Sequence, residues 1–557
     1  MVENLFRGAR QMLAGLKPIR APDAPARAFR DLWPGDAARG NRLLQGELEV
    51  AGSARPLSEE AGWDRGSPQW RAAALGFAWA RDLRALGTDA ARLRGRGLAT
   101  AFLERWGTDP MAAMPEVAGA RISAWLGHWD FFFATAEDAL RRGVMQRLAQ
   151  DVRTLVAGLP AEAAHRGALV ALKGAMAGAV ALDDETALAR CLRFLPQELE
   201  RQFLPDGCHV ERSPAQHLLA LQDLVEIRNL LHGAGVESPP HMAMTMDRAA
   251  PALRLFRHGD GGLAGFNGTR DEAASLLDLT LTQAQARGRS PLTLPDGGFH
   301  RLQAARTLVI ADCGAPPPGR GLVGLLPRGA DRFHHAGTLS FEMSVGRDRV
   351  VVNCGAAPAA DPGWRDALRA TAAHSTLIAA DTNSSELQDT GLGRRPEIVE
   401  TDRQAMAGAQ WLEMSHDGYR RPFGAVHRRR IYLSESGDDL RGEDTLEAEK
   451  PTPFVVRFHL HPGVNASLQQ DEQAVLLRLP SGAGWRVRAK GGRVAVEESI
   501  HLAGEPRRTV QIALYAEEGE PTVQWAISRI SLGANTPGTP STEAPAEPPR
   551  ESSGTRE

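Results

Sequence analysis

Two segments of this sequence concentrate side chains able to move protons. The first is Leu204-Pro-Asp-Gly-Cys-His-Val-Glu-Arg-Ser-Pro-Ala-Gln-His217, where two histidines, two carboxylates and an arginine crowd a short polar stretch. Imidazole and carboxylate exchange protons near neutral pH, and a guanidinium beside them can hold an anion. The same stretch also reads as a turn and a helix start, because Ser213-Pro214 offers an N-cap oxygen and a proline preset for the first turn. On residue types both readings stand.

The second is Phe333-His-His-Ala-Gly-Thr-Leu-Ser-Phe-Glu342, followed by Val350-Val-Val-Asn-Cys-Gly355 and Arg369-Ala-Thr-Ala-Ala-His-Ser-Thr376. Ends of neighbouring antiparallel strands lie close together, so imidazoles and one oxygen from these segments can converge on a zinc ion. Spacings this long equally suit packed core histidines. Further on, the Asp-Gly of His416-Asp-Gly-Tyr419 is a hairpin signal. In Arg457-Phe-His-Leu-His-Pro462 the two histidines alternate and share one face of a strand, where they either meet a ligand or pack.

The elements that must position these groups divide the chain in two. From residue 70 to about 231, apolar residues recur at three and four, as in Trp70, Ala73, Ala74, Phe77 and Ala78, which predicts amphipathic helices. Breaks fall at Gly107-Thr-Asp-Pro110, Gly158-Leu-Pro160 and Leu204-Pro-Asp-Gly207. After about Gly259 come short apolar runs bounded by Gly, Asp and Pro: Thr307-Leu-Val-Ile-Ala, Leu339-Ser-Phe-Glu-Met, Arg349-Val-Val-Val-Asn, His427 to Leu433, and Phe454 to Leu460. They predict an antiparallel sandwich rather than a βαβ fold. We place an N-terminal extension at 1–65, the helical domain at 66–255, the sandwich at 256–533 and a tail at 534–557 whose Pro, Thr, Ser, Glu and Gly predict disorder.

Composition narrows the partners. Lys and Arg number 65 against 68 Asp and Glu, a net charge of −3, so no one-signed field exists to hold a nucleic acid. The four cysteines, at 191, 208, 313 and 354, show no C-x-x-C spacing and read as buried thiols. No apolar run is long enough for a membrane span. Residues 1–19 mix charges with short apolar groups and lack the continuous apolar core of a secretory signal, which gives a cytoplasmic expectation. Oligomeric state is not legible.

Taken together, Leu204-Pro-Asp-Gly207 with Glu211-Arg-Ser-Pro214, His335-Ala-Gly-Thr-Leu-Ser-Phe-Glu342, Ala373-His-Ser-Thr376, His416-Asp-Gly-Tyr419 and Arg457-Phe-His-Leu-His-Pro462 make the chain resemble the heparinase II/III family. The likeness runs from about residue 70 to about 530 and is greatest to members of alphaproteobacterial type. It implies an incomplete α/α toroid followed by an antiparallel β-sandwich. The activity it implies is β-elimination on an acidic polysaccharide or oligosaccharide. That reaction needs a group to neutralise the uronate carboxylate, a base for the C5 proton and an acid for the leaving oxygen, the last two being a tyrosine and a histidine in the family.

Several of those positions differ here. Aligned on Leu172-Lys173, Arg166-Gly167 stand where the family has an Asn-His pair, with His165 displaced from the histidine position. Gln216 replaces the tyrosine before His217, and no tyrosine occurs before Tyr419. Phe333 replaces the first histidine of His-x-His-Ala-Asp, leaving His334 beside it and, on a strand, facing the other way. The metal ligands carry over as His335, Asn353 and His374, with neutral Asn353 for the usual aspartate, which weakens the hold on zinc. Two functions follow. One is a lyase with a rearranged site, in which His217, His165 or Glu211 is the base, Arg166 or Arg212 binds the carboxylate and His334 assists. The other is a noncatalytic relative that binds a glycan or partner in the same cleft. A hydrolase pairing Glu211 with Asp206 is a more distant third.

Overall fold

The computed structural model describes residues 21–27, 29–469, 473–502 and 504–530. The tail expected to be disordered lies outside these residues.

Helix starts in the first half follow side-chain chemistry. Thr88, Asp184 and Ser213 each accept a hydrogen bond from a backbone N–H of the first turn of Asp89–Glu104, Glu185–Gln202 and Pro214–Gly233. The three breaks read from the sequence fall between helices, at the short turns after Glu104, after Ala157 and after Gln202. At the centre runs Arg166–Ala181, an Ala- and Gly-rich helix buried along nearly its whole length. Around it pack Pro115–Gly127, Asp138–Ala157, Glu185–Gln202 and Pro214–Gly233, the framework of the incomplete toroid. Gly119 and Gly174 let two of these backbones touch: a Cβ on Gly174 would stand 2.4 Å from the Cα of Gly119. Helix packing continues to Ala274–Ala284, whose Leu277 and Leu281 join the helical core, so the sheets begin later than the change in composition at 259 suggests.

The second half is antiparallel throughout its named strands. Among the described residues a nine-stranded sheet includes Phe299–Ala304, Thr307–Asp312, Phe341–Val345, Asp348–Val352 and Phe454–Leu460. An eight-stranded sheet, including Ala409–His416, Val426–Leu433, Asp439–Glu447 and Thr522–Arg529, faces it. Val426–Leu433 alternates buried and half-buried positions, as a strand with one wet face should. Phe341, Phe458 and Trp525 fill the space between the sheets, with the Phe341 and Trp525 rings stacked at 5.6 Å.

Thr307–Asp312 explains how the halves meet. All six of its residues are buried. Leu308 and Ile310 join the helical core while Val309 and Ala311 join the sandwich core, so opposite faces of one strand seal both. Arg212 of the helical half, paired with Asp312 in the interior, and His258, 2.9 Å from Glu342, tie the junction further.

Candidate functional site

Where the toroid helices turn toward the sandwich lies a cleft of about 390 Å³. Its wall brings together Arg81, Glu116, His128, Arg166, Lys173, Gln216, Glu226, Arg332 and Phe333. Each cation meets a carboxylate. Arg81 grips Asp31 through two nitrogens at 2.7 and 3.0 Å. Arg166 Nε lies 2.8 Å from Asp223, and Lys173 Nζ lies 2.7 Å from the other oxygen of Asp223 while also bonding Glu226. Arg332 reaches Glu211 at 2.9 Å and Glu116 at 3.1 Å. Burial works against every one of these charges. Even so, Arg166 and Lys173 hold the Asp223 carboxyl below its usual range, and Asp223 and Glu226 hold the Lys173 ammonium above its own.

This arrangement of helices and sheets has known counterparts. A family model described as heparinase II/III-like, C-terminal, matches residues 286–526. A protein of Caulobacter vibrioides named FtsZ-localized protein C is 31% identical over 547 residues, which cover 91% of each chain. The chain belongs to the heparinase II/III family. In fold it resembles heparinase III, with a TM-score of 0.72 at 13% identity over 94% of this chain and 90% of that one. The chondroitin AC lyase of Streptomyces coelicolor gives 0.51 at 11% identity, over 94% and 82%.

Gln216 and Phe333, at the positions where the resemblance implies a tyrosine and a histidine, both line the cleft. An amide and a phenyl ring have no proton to exchange near neutral pH. The tyrosines stand elsewhere. Tyr419 is buried in the sandwich with its hydroxyl donating to the Leu377 carbonyl at 3.1 Å, Tyr432 packs on Trp411, and Tyr515 bonds Glu497 at 2.5 Å.

Of the six catalytic candidates read from the sequence, Arg166 alone lines this cleft. His217 sits in the helical core between Phe203 and Phe256. Its Nδ1 accepts from the His209 N–H at 3.1 Å, its Nε2 donates to the Ala249 carbonyl at 2.7 Å, and burial pushes it down to about 4. His165 caps the helix Arg166–Ala181, accepting from the Gly167 N–H at 3.0 Å and donating to the Pro327 carbonyl at 2.6 Å. It faces a neighbouring cavity of about 740 Å³. Glu211 lies behind the cleft wall, where burial opposes its charge but Arg332 and the Arg166 N–H hold its carboxyl below the usual range. Arg212, at a φ of +50°, spends its guanidinium on Asp312 and the Gly297 and Ala315 carbonyls. His334, buried and 3.5 Å from Arg212, precedes the strand rather than lying on it, so the expected alternation of faces does not apply.

Of the sandwich trio, His335 and His374 meet directly. The Gly268 N–H donates to His335 Nε2 at 3.1 Å, which leaves the proton on Nδ1 to donate to His374 Nε2 at 3.0 Å. His374 Nδ1 then donates to the Ala370 carbonyl at 2.8 Å. Asn353 accepts from the Ser375 N–H at 3.0 Å and turns its amide nitrogen toward Glu342 at 3.2 Å. As a zinc site of the family's kind the trio does not fit: its imidazoles satisfy each other and the third position offers a neutral amide engaged at both ends. Among the described residues no three His, Cys, Asp or Glu side chains gather as metal ligands.

Lys173, Asp223, Glu226, Arg332, Arg81 and Asp31 were not singled out from the sequence. The available signal was a charge inside an otherwise apolar helix, as at Lys173 and in Leu218-Leu-Ala-Leu-Gln-Asp-Leu-Val-Glu226. A buried charge in such a setting requires a partner.

Proposed function

We propose that this protein is a glycan-binding member of the heparinase II/III family that does not carry out β-elimination, and that it acts in the cytoplasm at the site of cell division. The observation that carries the first part is the cleft wall itself: every cation there that could neutralise a uronate is already paired, and Gln216 and Phe333, where the resemblance implies a tyrosine and a histidine, line it. A rearranged lyase would need His217, His165 or Glu211 as base, yet both ring nitrogens of each histidine are bonded inside the fold and Glu211 is paired with Arg332. The retained cleft, in a fold shared with polysaccharide lyases, supports a sugar ligand.

Incubating the full chain with a panel of uronic-acid polymers tests this reading through the absorbance of the unsaturated product. No rise is expected. A rise that disappears in Arg166→Ala would make the protein a lyase after all. The second part is supported by the likeness to a relative that its name describes as FtsZ-localized. A fluorescent fusion should gather at midcell and the purified chain should co-sediment with FtsZ polymers; a uniform signal with no co-sedimentation would remove this part.

A further inference from the structure

If the cleft binds a glycan, as proposed above, its electrostatics and its unmet hydrogen bonds decide which class of glycan. Four cations of the wall, Arg81, Arg166, Lys173 and Arg332, are set against Asp31, Glu116 and Glu226 in the wall and Glu211 and Asp223 behind it, and His128 Nε2 also lies 3.2 Å from Asp31. A ligand carboxylate entering here finds no uncommitted positive charge. It must break an internal pair and leave a buried carboxylate uncompensated.

The same wall carries a second set of polar groups. Gln69 Oε1, Ser123 Oγ, His128 Nδ1 and Gln216 Oε1 are buried atoms without a hydrogen-bond partner, and all four residues line this cleft. Their clustering matters because buried polar atoms are almost always bonded. A sugar hydroxyl both donates and accepts, so it can satisfy any of these atoms that turns toward the cleft. Phe77 and Phe333, also in the wall, offer apolar rings to the C–H face of a sugar. The volume, about 390 Å³, lies toward the small end of ligand sites.

We infer that the cleft takes an uncharged, hydroxyl-rich sugar of mono- to disaccharide size, with Gln69, Ser123, His128 and Gln216 reading its hydroxyls. The charged residues then act as a rigid, self-neutralised frame, and Gln216 is the group that reads a sugar where the family's tyrosine would move its proton.

Calorimetric titration of the full chain tests this, with diacetylchitobiose and cellobiose as neutral probes and a glucuronate-containing disaccharide of equal size as the charged one. At least one neutral probe should bind about tenfold more tightly than the uronate, with an affinity unchanged between low and high salt. Gln216→Leu and Ser123→Ala should each weaken that binding by about tenfold, since a site built to bond a hydroxyl loses specificity with its partner. An unchanged unfolding midpoint certifies that each variant is folded, and Gln69→Leu serves if one is not. Tighter binding of the uronate without unsaturated product would overturn the neutral-sugar inference while leaving the noncatalytic reading standing. Unsaturated product would overturn the noncatalytic reading itself. Failure of every probe to bind would overturn this inference together with the glycan part of the proposal.

Discussion

The cleft of the helical half and the imidazole pair of the sandwich both hold side chains able to do chemistry, and each group is balanced differently. In the cleft, charge answers charge: Lys173 is buried against Asp223 and Glu226, and Arg332 against Glu211 and Glu116. In the sandwich, neutral groups answer one another: His335 donates to His374, which donates to a backbone carbonyl. Removing one member of a buried ion network strands a charge, whereas removing one member of a neutral chain strands a single polar atom. Retained residue types therefore say little about retained chemistry until their partners are known.

The largest effect should come from breaking the cleft network at its hub. Lys173→Met leaves Glu226 with the Trp33 indole N–H, at 2.6 Å, as its remaining side-chain hydrogen-bond donor among the described residues, and should cost about 3–5 kcal/mol in urea unfolding. A cost below about 1 kcal/mol would mean that the network is far less buried than its geometry implies.

Acid should separate the two modes of balance. Burial lowers His217 to about 4, below an unfolded value of about 6.5, so between these limits the unfolded chain binds a proton that the folded chain refuses. Stability held by such a neutral imidazole is complete above pH ~6.5 and declines as pH falls toward ~4, by on the order of 2–3 kcal/mol. The Asp223 and Glu211 carboxyls are held below their usual range, so the stability they contribute is present above pH ~4 and is lost only at lower pH. His217→Gln, which keeps a donor for Ala249, should flatten the unfolding free energy between pH 6.5 and 4 relative to the parent; an unchanged slope would assign that window to other histidines.

A smaller effect is expected in the sandwich. Asn353→Asp sets a second carboxylate against Glu342 and should cost about 1–2 kcal/mol without metal, with added zinc recovering the loss. Zinc that stabilises the parent chain equally would show that the amide is an adequate ligand. The smallest expected effect is none: Gln216→Tyr with Phe333→His should produce no unsaturated sugar from uronic-acid polymers, because Arg166, Lys173 and Arg332 stay paired. Product from that double variant would mean that the two side chains alone separate this cleft from a lyase.

Much of the architecture was legible because it rests on local pattern. Thr307-Leu-Val-Ile-Ala is a continuous apolar run, and its strand is buried on both faces. Ser213-Pro214 promised a helix start, and the helix begins there. The proton-moving reading of the same segment fared differently, since a helix that starts at Pro214 carries His217 into the core, between Phe203 and Phe256. Proximity in sequence put His209, Glu211, Arg212 and His217 in one group, but the turn sends them to the helical core, the back of the cleft wall and the junction with the sheets.

The sequence by itself determined the two halves, the positions of the helix breaks and the absence of any tyrosine before Tyr419, because each is a property of composition or short-range periodicity. Only the tertiary structure decided that the cleft's cations are already paired. Lys173 meets Asp223 from 50 residues away and Arg332 meets Glu116 from 216. A charge is balanced by whatever the fold brings within a few ångströms of it, and no local pattern along the chain records that distance.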